Sequence, residues 1–112
     1  MRFEIRFSKP FKRSLHHLEK KYQRIRFDLE GAIEVLLIYP DLGKVIPNTQ
    51  GVRKLRVKSS DMAKGKRGGF RLLYLLDKEK SCITLLFVYD KPEKKDISPK
   101  EIERIIEEAL KE

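Results

Sequence analysis

Residues 52–74 read VRKLRVKSSDMAKGKRGGFRLLY, and the fold is decided by how this stretch is parsed. Two strand-like runs, Val52 to Val57 and Phe70 to Leu76, flank a loop from Lys58 to Gly69 that is rich in Lys, Ser and Gly. In the first run Val52, Leu55 and Val57 interrupt the cations Arg53, Lys54, Arg56 and Lys58. The loop adds Lys64, Lys66 and Arg67, and Arg71 opens the second run. Side chains alternate across a strand, so Lys54, Arg56 and Lys58 are expected on one face of a sheet. Like charges crowded in this way repel one another, and the arrangement makes sense when an anion binds among them.

Working outward, Ile83 to Tyr89 forms a second apolar run, joined to Phe70–Leu76 through the polar turn Asp77-Lys78-Glu79-Lys80. Val, Ile, Tyr and Phe dominate both runs, as a largely buried antiparallel pair requires. Upstream, Phe3, Ile5 and Phe7 alternate with Arg2, Glu4 and Arg6, which predicts a strand with one buried face. Ser8 reads as a helix N-cap with Pro10 in the first turn, followed by the helical stripe Phe11, Leu15, Leu18 and Tyr22. After a break near Gln23, Ile25, Leu29, Ile33, Leu36 and Leu37 predict a second helix that stops before Pro40. Asp41 to Gln50 is punctuated as a connection. At the far end, Ser98-Pro99-Lys100-Glu101 has the form of a capping box, leading into a helix with Ile102, Ile105, Ile106, Ala109 and Leu110 on one side.

The predicted architecture is a single α+β domain over residues 1–112. It has a small antiparallel-rich sheet packed against an N-terminal helical hairpin, a C-terminal helix, and the helices on one face.

The formal net charge is +9, and its distribution is uneven. Residues 1–50 carry 10 cations and 6 anions (+4), residues 51–96 carry 13 and 6 (+7), and residues 97–112 carry 3 and 5 (−2). The excess lies in the strand-rich block, the usual footprint of phosphate binding. A solvated basic surface is the alternative reading of the same charge. Cys82 is the single cysteine, which excludes an internal disulfide, and its apolar surroundings suggest a small buried hydrophobe. No run of apolar residues reaches membrane-spanning length, and the N-terminus lacks the apolar centre of a signal peptide, so a cytoplasmic location is expected.

Several chemistries are disfavoured. No Cys/His set has metal-ligand spacing, and GKRGG lacks the Ser/Thr and the strand–loop–helix order of a P-loop. Carboxylates are sparse in the basic block, against a two-metal nuclease. His16 and His17 are adjacent on a helix and point in different directions, so they are expected to face solvent rather than flank one scissile bond. What remains is chemistry carried by Lys and Arg. An RNA 2′-hydroxyl can attack its own phosphate without a metal if it has a base, cations on the phosphorane oxygens and an acid for the leaving oxygen.

The combination of RKLRVK, a Gly/Lys loop, GGFRLLYLL and LLFVYDKPEKKDIS resembles the RelE/ParE superfamily of toxins, nearest its HigB/RelE-like branch, over almost the whole chain. The resemblance implies the toxin of a type II toxin–antitoxin system. Its activity would be cleavage of mRNA in the ribosomal A site, with no cofactor and no metal. Its partners would be a cognate antitoxin and the ribosome with its mRNA. It places Lys54 as a base candidate, Arg56 as a phosphate contact, Arg71 as the arginine that stabilises the transition state, and Lys91 and Lys94 in the basic cluster after the last strand. Lys58, Lys64, Lys66 and Arg67 are assigned to RNA binding. One branch of the family places a tyrosine about where Ser98 stands here, which leaves the general acid unassigned. Tyr74 and Tyr89 read as core or strand residues. Two alternatives stay open: a ParE-like toxin that inhibits DNA gyrase, and an RNA- or ribosome-binding domain without chemistry.

Overall fold

A computed structural model describes residues 2–62, 68–92, 94 and 96–111. Strand β1 (Glu4–Phe7) leads into helix α1 (Lys9–Glu19), whose first turn is closed by Ser8: its hydroxyl accepts the Phe11 N–H at 3.2 Å. Helix α2 (Ile25–Ile38) has no side-chain cap at Arg24 of the usual local kind. The Arg24 N–H is instead accepted by the Asp61 carboxylate at 2.7 Å, a partner from far along the chain. Together α1 and α2 form the expected hairpin.

Four further strands follow: β2 (Lys44–Val45), β3 (Arg53–Val57), β4 (Phe70–Asp77) and β5 (Cys82–Asp90). The 5-stranded sheet has the order β1-β5-β4-β3-β2. All neighbours are antiparallel except β1 and β5, which run parallel. Strand β2 was not expected within the connection 41–50. It exists because Lys44 and Val45 find partners in Lys54 and Arg53, and because Tyr74 pins the chain just ahead of it. The Tyr74 hydroxyl accepts the Gly43 N–H and donates to the Pro40 carbonyl, both at 2.8 Å.

The helices do not share one face of the sheet, contrary to expectation. Phe70, Leu72 and Tyr74 of β4 join Phe11, Leu15, Leu18, Ile25, Leu29 and Leu36 in a cluster under α1 and α2. The intervening Leu73 joins Leu86, Tyr89, Ile102, Ile106 and Ala109 in a second cluster under helix α3 (Pro99–Leu110). The reason lies in composition. Central strands that are apolar at consecutive positions have two faces to bury, and one hairpin covers only one of them. A bulge sharpens the effect: Tyr74 pairs with Leu85 and Leu73 with Phe87, so Leu86 has no cross-strand partner and turns into the second cluster.

Strand β1 pairs with β5 only as far as Leu85. Beyond it, α1 shields the exposed edge, and the Ser14 hydroxyl accepts the Val88 N–H at 3.0 Å while donating to the Phe11 carbonyl at 2.8 Å. The expected cap of α3 is present as a reciprocal capping box between Ser98 and Glu101. Phe7, expected to be buried, is 46% exposed at the end of its short edge strand. Cys82, at the start of β5, is half-buried rather than fully enclosed. Among the described residues no helix is long and apolar enough to cross a membrane.

Candidate functional site

The cations of β3 and β4 meet on the face that carries α3. Arg56 pairs directly with Arg71, and Arg71 pairs in turn with Tyr89, which makes a row across β3, β4 and β5. One rung along, Lys54 stands opposite Leu73 and, on its other side, opposite Lys44 of β2. Two like-charged cross-strand pairs therefore lie side by side. Each destabilises the free protein, typically by ~0.2–1 kcal/mol.

Arg71 is held more firmly than a surface arginine. Its guanidinium donates to the carbonyls of Gly68 and Phe70, each at 3.2 Å. Burial, with Arg56 alongside, lowers its pKa from the usual guanidinium value, the signature of a cation short of solvent and counter-charge. The backbone bend that leads into it depends on Gly69, which has φ +86; a Cβ there would lie 2.7 Å from the Val57 carbonyl oxygen. The Gly69 carbonyl also accepts the Lys91 N–H at 3.1 Å, so the start of β4 and the end of β5 are tied together.

Tyr89 is buried, and that burial, with the Asp96 carboxylate nearby, pushes its pKa up to about 12. Its hydroxyl therefore stays protonated at neutral pH, in the neighbourhood of the Asp96 carboxylate. Asp96 reaches the other rung as well: its Oδ1 lies 3.8 Å from the Lys54 Nζ and accepts the Ile97 N–H at 2.9 Å. Ile97 is itself buried in the second cluster, so the carboxylate is set by a fixed stretch of backbone.

The structure thus brings Lys54, Arg56 and Arg71 together on one face. Lys58 lies just beyond the end of β3 and is exposed. Lys91 is half-buried where the chain leaves β5. Lys94 pairs with Glu101 at 3.3 Å. It lines a cleft of about 390 Å³ between α1 and the end of β5, together with Ser14, His17, Phe87, Tyr89 and Asp90. Lys64, Lys66 and Arg67 lie outside the described residues. His16 and His17 are both exposed, and only His17 borders the cleft. The general-acid position left open by Ser98 stays unfilled by that residue, whose hydroxyl is engaged with Glu101.

Tyr89 and Asp96 were not singled out as site residues from the sequence. Tyr89 sits in an apolar strand, and nothing local separates it from a core aromatic. Asp96 precedes the capping box in a run of mixed charge, where any one carboxylate looks solvated. Only the cross-strand register and the path of the chain from β5 to α3 bring them to Arg71 and Lys54.

A row of guanidinium groups beside an ammonium suits a phosphodiester, with forked donors for the non-bridging oxygens and a point charge beside them. Among the described residues no group of three His, Cys, Asp or Glu side chains gathers as a metal-binding set.

Residues 5–93 match the family described as "ParE toxin of type II toxin-antitoxin system, parDE". Among solved structures, a mutant of the E. coli toxin RelE in the free state superposes with a TM-score of 0.60 at 20% identity, covering 99% of this chain and 97% of that one. At that identity the likeness is one of fold.

Proposed function

The chain belongs to the ParE family of type II toxin–antitoxin toxins, within the RelE/ParE superfamily, and from that premise we propose that it is a ribosome-dependent mRNA endonuclease. A toxin of this type has an antitoxin protein as its partner. The observation that carries the nuclease reading is the pairing of Arg56 with Arg71 beside Lys54 on one sheet face. A gathering of like charges is unfavourable in the free protein and becomes favourable when a phosphate enters.

In this reading Arg71 and Arg56 hold the non-bridging oxygens of the scissile phosphate and stabilise charge as it builds on the phosphorane. Lys54, acting as the free amine after giving its own proton to solvent, takes the proton from the 2′-hydroxyl. The 2′-oxygen then bonds to phosphorus, the bond to the 5′-oxygen breaks, and that oxygen leaves as a hydroxyl after taking a proton from solvent. The products are a 2′,3′-cyclic phosphate and a 5′-hydroxyl. Lys91, where the chain leaves β5, is the proposed electrostatic partner of the leaving oxygen. Lys94, paired with Glu101 beside the α1 cleft, takes an RNA-binding rather than a chemical part. Lys58, Lys64, Lys66 and Arg67 keep their assignment to RNA binding.

A second reading, a ParE-like inhibitor of DNA gyrase without nuclease chemistry, is favoured by the description of the matching family. Cleavage of an mRNA in translating ribosomes, with chelator present, separates the two. Cuts that vanish in an Arg71→Ala variant support the endonuclease. Absence of cuts, together with inhibition of DNA supercoiling by purified gyrase, overturns it in favour of the second.

A further inference from the structure

The cationic row is not empty of negative charge, because the chain supplies a carboxylate of its own. Asp96 is 3.8 Å from Lys54 and within reach of the protonated Tyr89 hydroxyl, and Tyr89 is in turn the cross-strand partner of Arg71. The carboxylate is therefore set against the Lys54 rung, on the side of the site where Tyr89 ends the other. Its aim is set by the hydrogen bond from the Ile97 N–H at 2.9 Å and by the burial of Ile97 beneath α3.

We infer that Asp96 is an in-chain counter-ion that holds the place of a substrate phosphate, and that an RNA phosphate occupies this face by displacing it from Lys54. The inference rests on the phosphate-binding reading of the row given above. Its physical support is threefold. First, Lys44 opposite Lys54 creates a local field that favours an anion within reach, and among the described residues Asp96 is a carboxylate placed against Lys54. Second, the contact is weak in the way a placeholder must be. The Asp96 side chain is 72% exposed and the separation is long for a charge-assisted hydrogen bond, so the pair yields readily to a phosphate oxygen at closer range. Third, Lys54 and the Ile97 N–H differ in kind as partners of Asp96. Lys54 carries its ammonium on a four-carbon stem that can turn to a new anion, while the Ile97 N–H stays with Asp96 and keeps the displaced carboxylate near the site. Asp96 then sets how tightly RNA is held and keeps phosphates with poor geometry from occupying the row.

The test is equilibrium binding of a short single-stranded RNA with every 2′-hydroxyl methylated, which cannot undergo the cleavage chemistry. It compares wild type, Asp96→Asn, Arg71→Ala, Lys54→Met and the Asp96→Asn/Lys54→Met double variant. Asparagine keeps an acceptor for the Ile97 N–H and removes only the charge, and thermal melts of each variant verify folding. The expected result is about fivefold tighter binding by Asp96→Asn, with the slope of log K against log salt steeper by about one. In the Lys54→Met background the gain from Asp96→Asn is expected to vanish, since the counter-ion then has no ammonium to release. Equal or weaker binding by Asp96→Asn, while wild type binds and Arg71→Ala does not, overturns the counter-ion role and leaves the phosphate site standing. Equal binding by wild type and Arg71→Ala overturns the phosphate reading of the row, and the role of Asp96 with it.

Discussion

Arg56 and Arg71 face each other directly across β3 and β4, two guanidinium groups in one cross-strand pair. Such a pair is a local defect in the free protein and an asset once an anion lies over it. Phosphate is therefore expected to raise the melting temperature above that in chloride at equal ionic strength. At a phosphate concentration about 100 times its Kd the added stability is about 2.7 kcal/mol. The Arg71→Ala variant loses most of this increment. Thermal melts in the two salts read the difference, and an identical response of wild type and variant contradicts the site.

Gly69 and Gly51 share nearly the same backbone conformation, φ +86 and +87, but differ in their surroundings. A Cβ on Gly51 meets nothing within 4 Å, whereas on Gly69 it meets the Val57 carbonyl oxygen at 2.7 Å. Gly51→Ala is expected to cost about 1 kcal/mol, from conformation alone. Gly69→Ala is expected to cost about 2–3 kcal/mol and to reduce cleavage as well, since Arg71 is two residues away. Urea denaturation compares the two, and equal midpoints for both variants would refute the steric account.

Asp90 is buried to within 2% of full enclosure, and its carboxylate accepts the Tyr22 hydroxyl at 2.6 Å with Lys21 Nζ at 3.7 Å. Tyr22→Phe leaves that carboxylate short of a donor. The expected loss is about 1–3 kcal/mol, large for the removal of one oxygen. Because the pair fastens the end of β5 to the turn between α1 and α2, hydrogen exchange at Tyr89 and Asp90 should accelerate in the same variant. Unchanged exchange there would show that the pair carries no strain of the fold.

The alkaline limit of stability is expected to depend on Tyr89. Its folded pKa is raised to about 12, chiefly by burial and then by Asp96, above the ordinary tyrosine value of 10.0. For a raised pKa the stabilisation is complete below the unfolded value and is lost as pH climbs through the folded one. Stability should thus decline between about pH 10 and 12, with Tyr22 and Tyr74, also raised by burial, adding to the fall. In Tyr89→Phe the decline is shallower and the highest tyrosinate absorbance step disappears. A titration in which that step persists would place it on another tyrosine.

Much of this molecule was legible in the chain because its signals are local. Ser8 with Pro10, and Ser98 with Glu101, announce helix starts through hydrogen bonds that close within three residues. The apolar periods of α1 and β4 report the face each element buries. The two errors of architecture have a common origin. Lys44–Val45 becomes a strand through partners in β3, and α3 takes the second face because β4 and β5 are apolar on both sides. Neither fact is written in the residues of the element itself.

The site divides along the same line. Alternation in RKLRVK placed Lys54 and Arg56 on one face from sequence alone, because a strand admits only two directions for its side chains. Which cations and acids meet across strands is a matter of register, and register is set by the bulge at Leu86, the bend at Gly69 and the burial of Ile97. Those features set Arg71 opposite Arg56, Tyr89 on the other side of Arg71, and Asp96 against Lys54. The sequence by itself determined every element but β2, the charge and the family. The tertiary structure decided which charges touch, because that depends on packing between residues far apart in the chain.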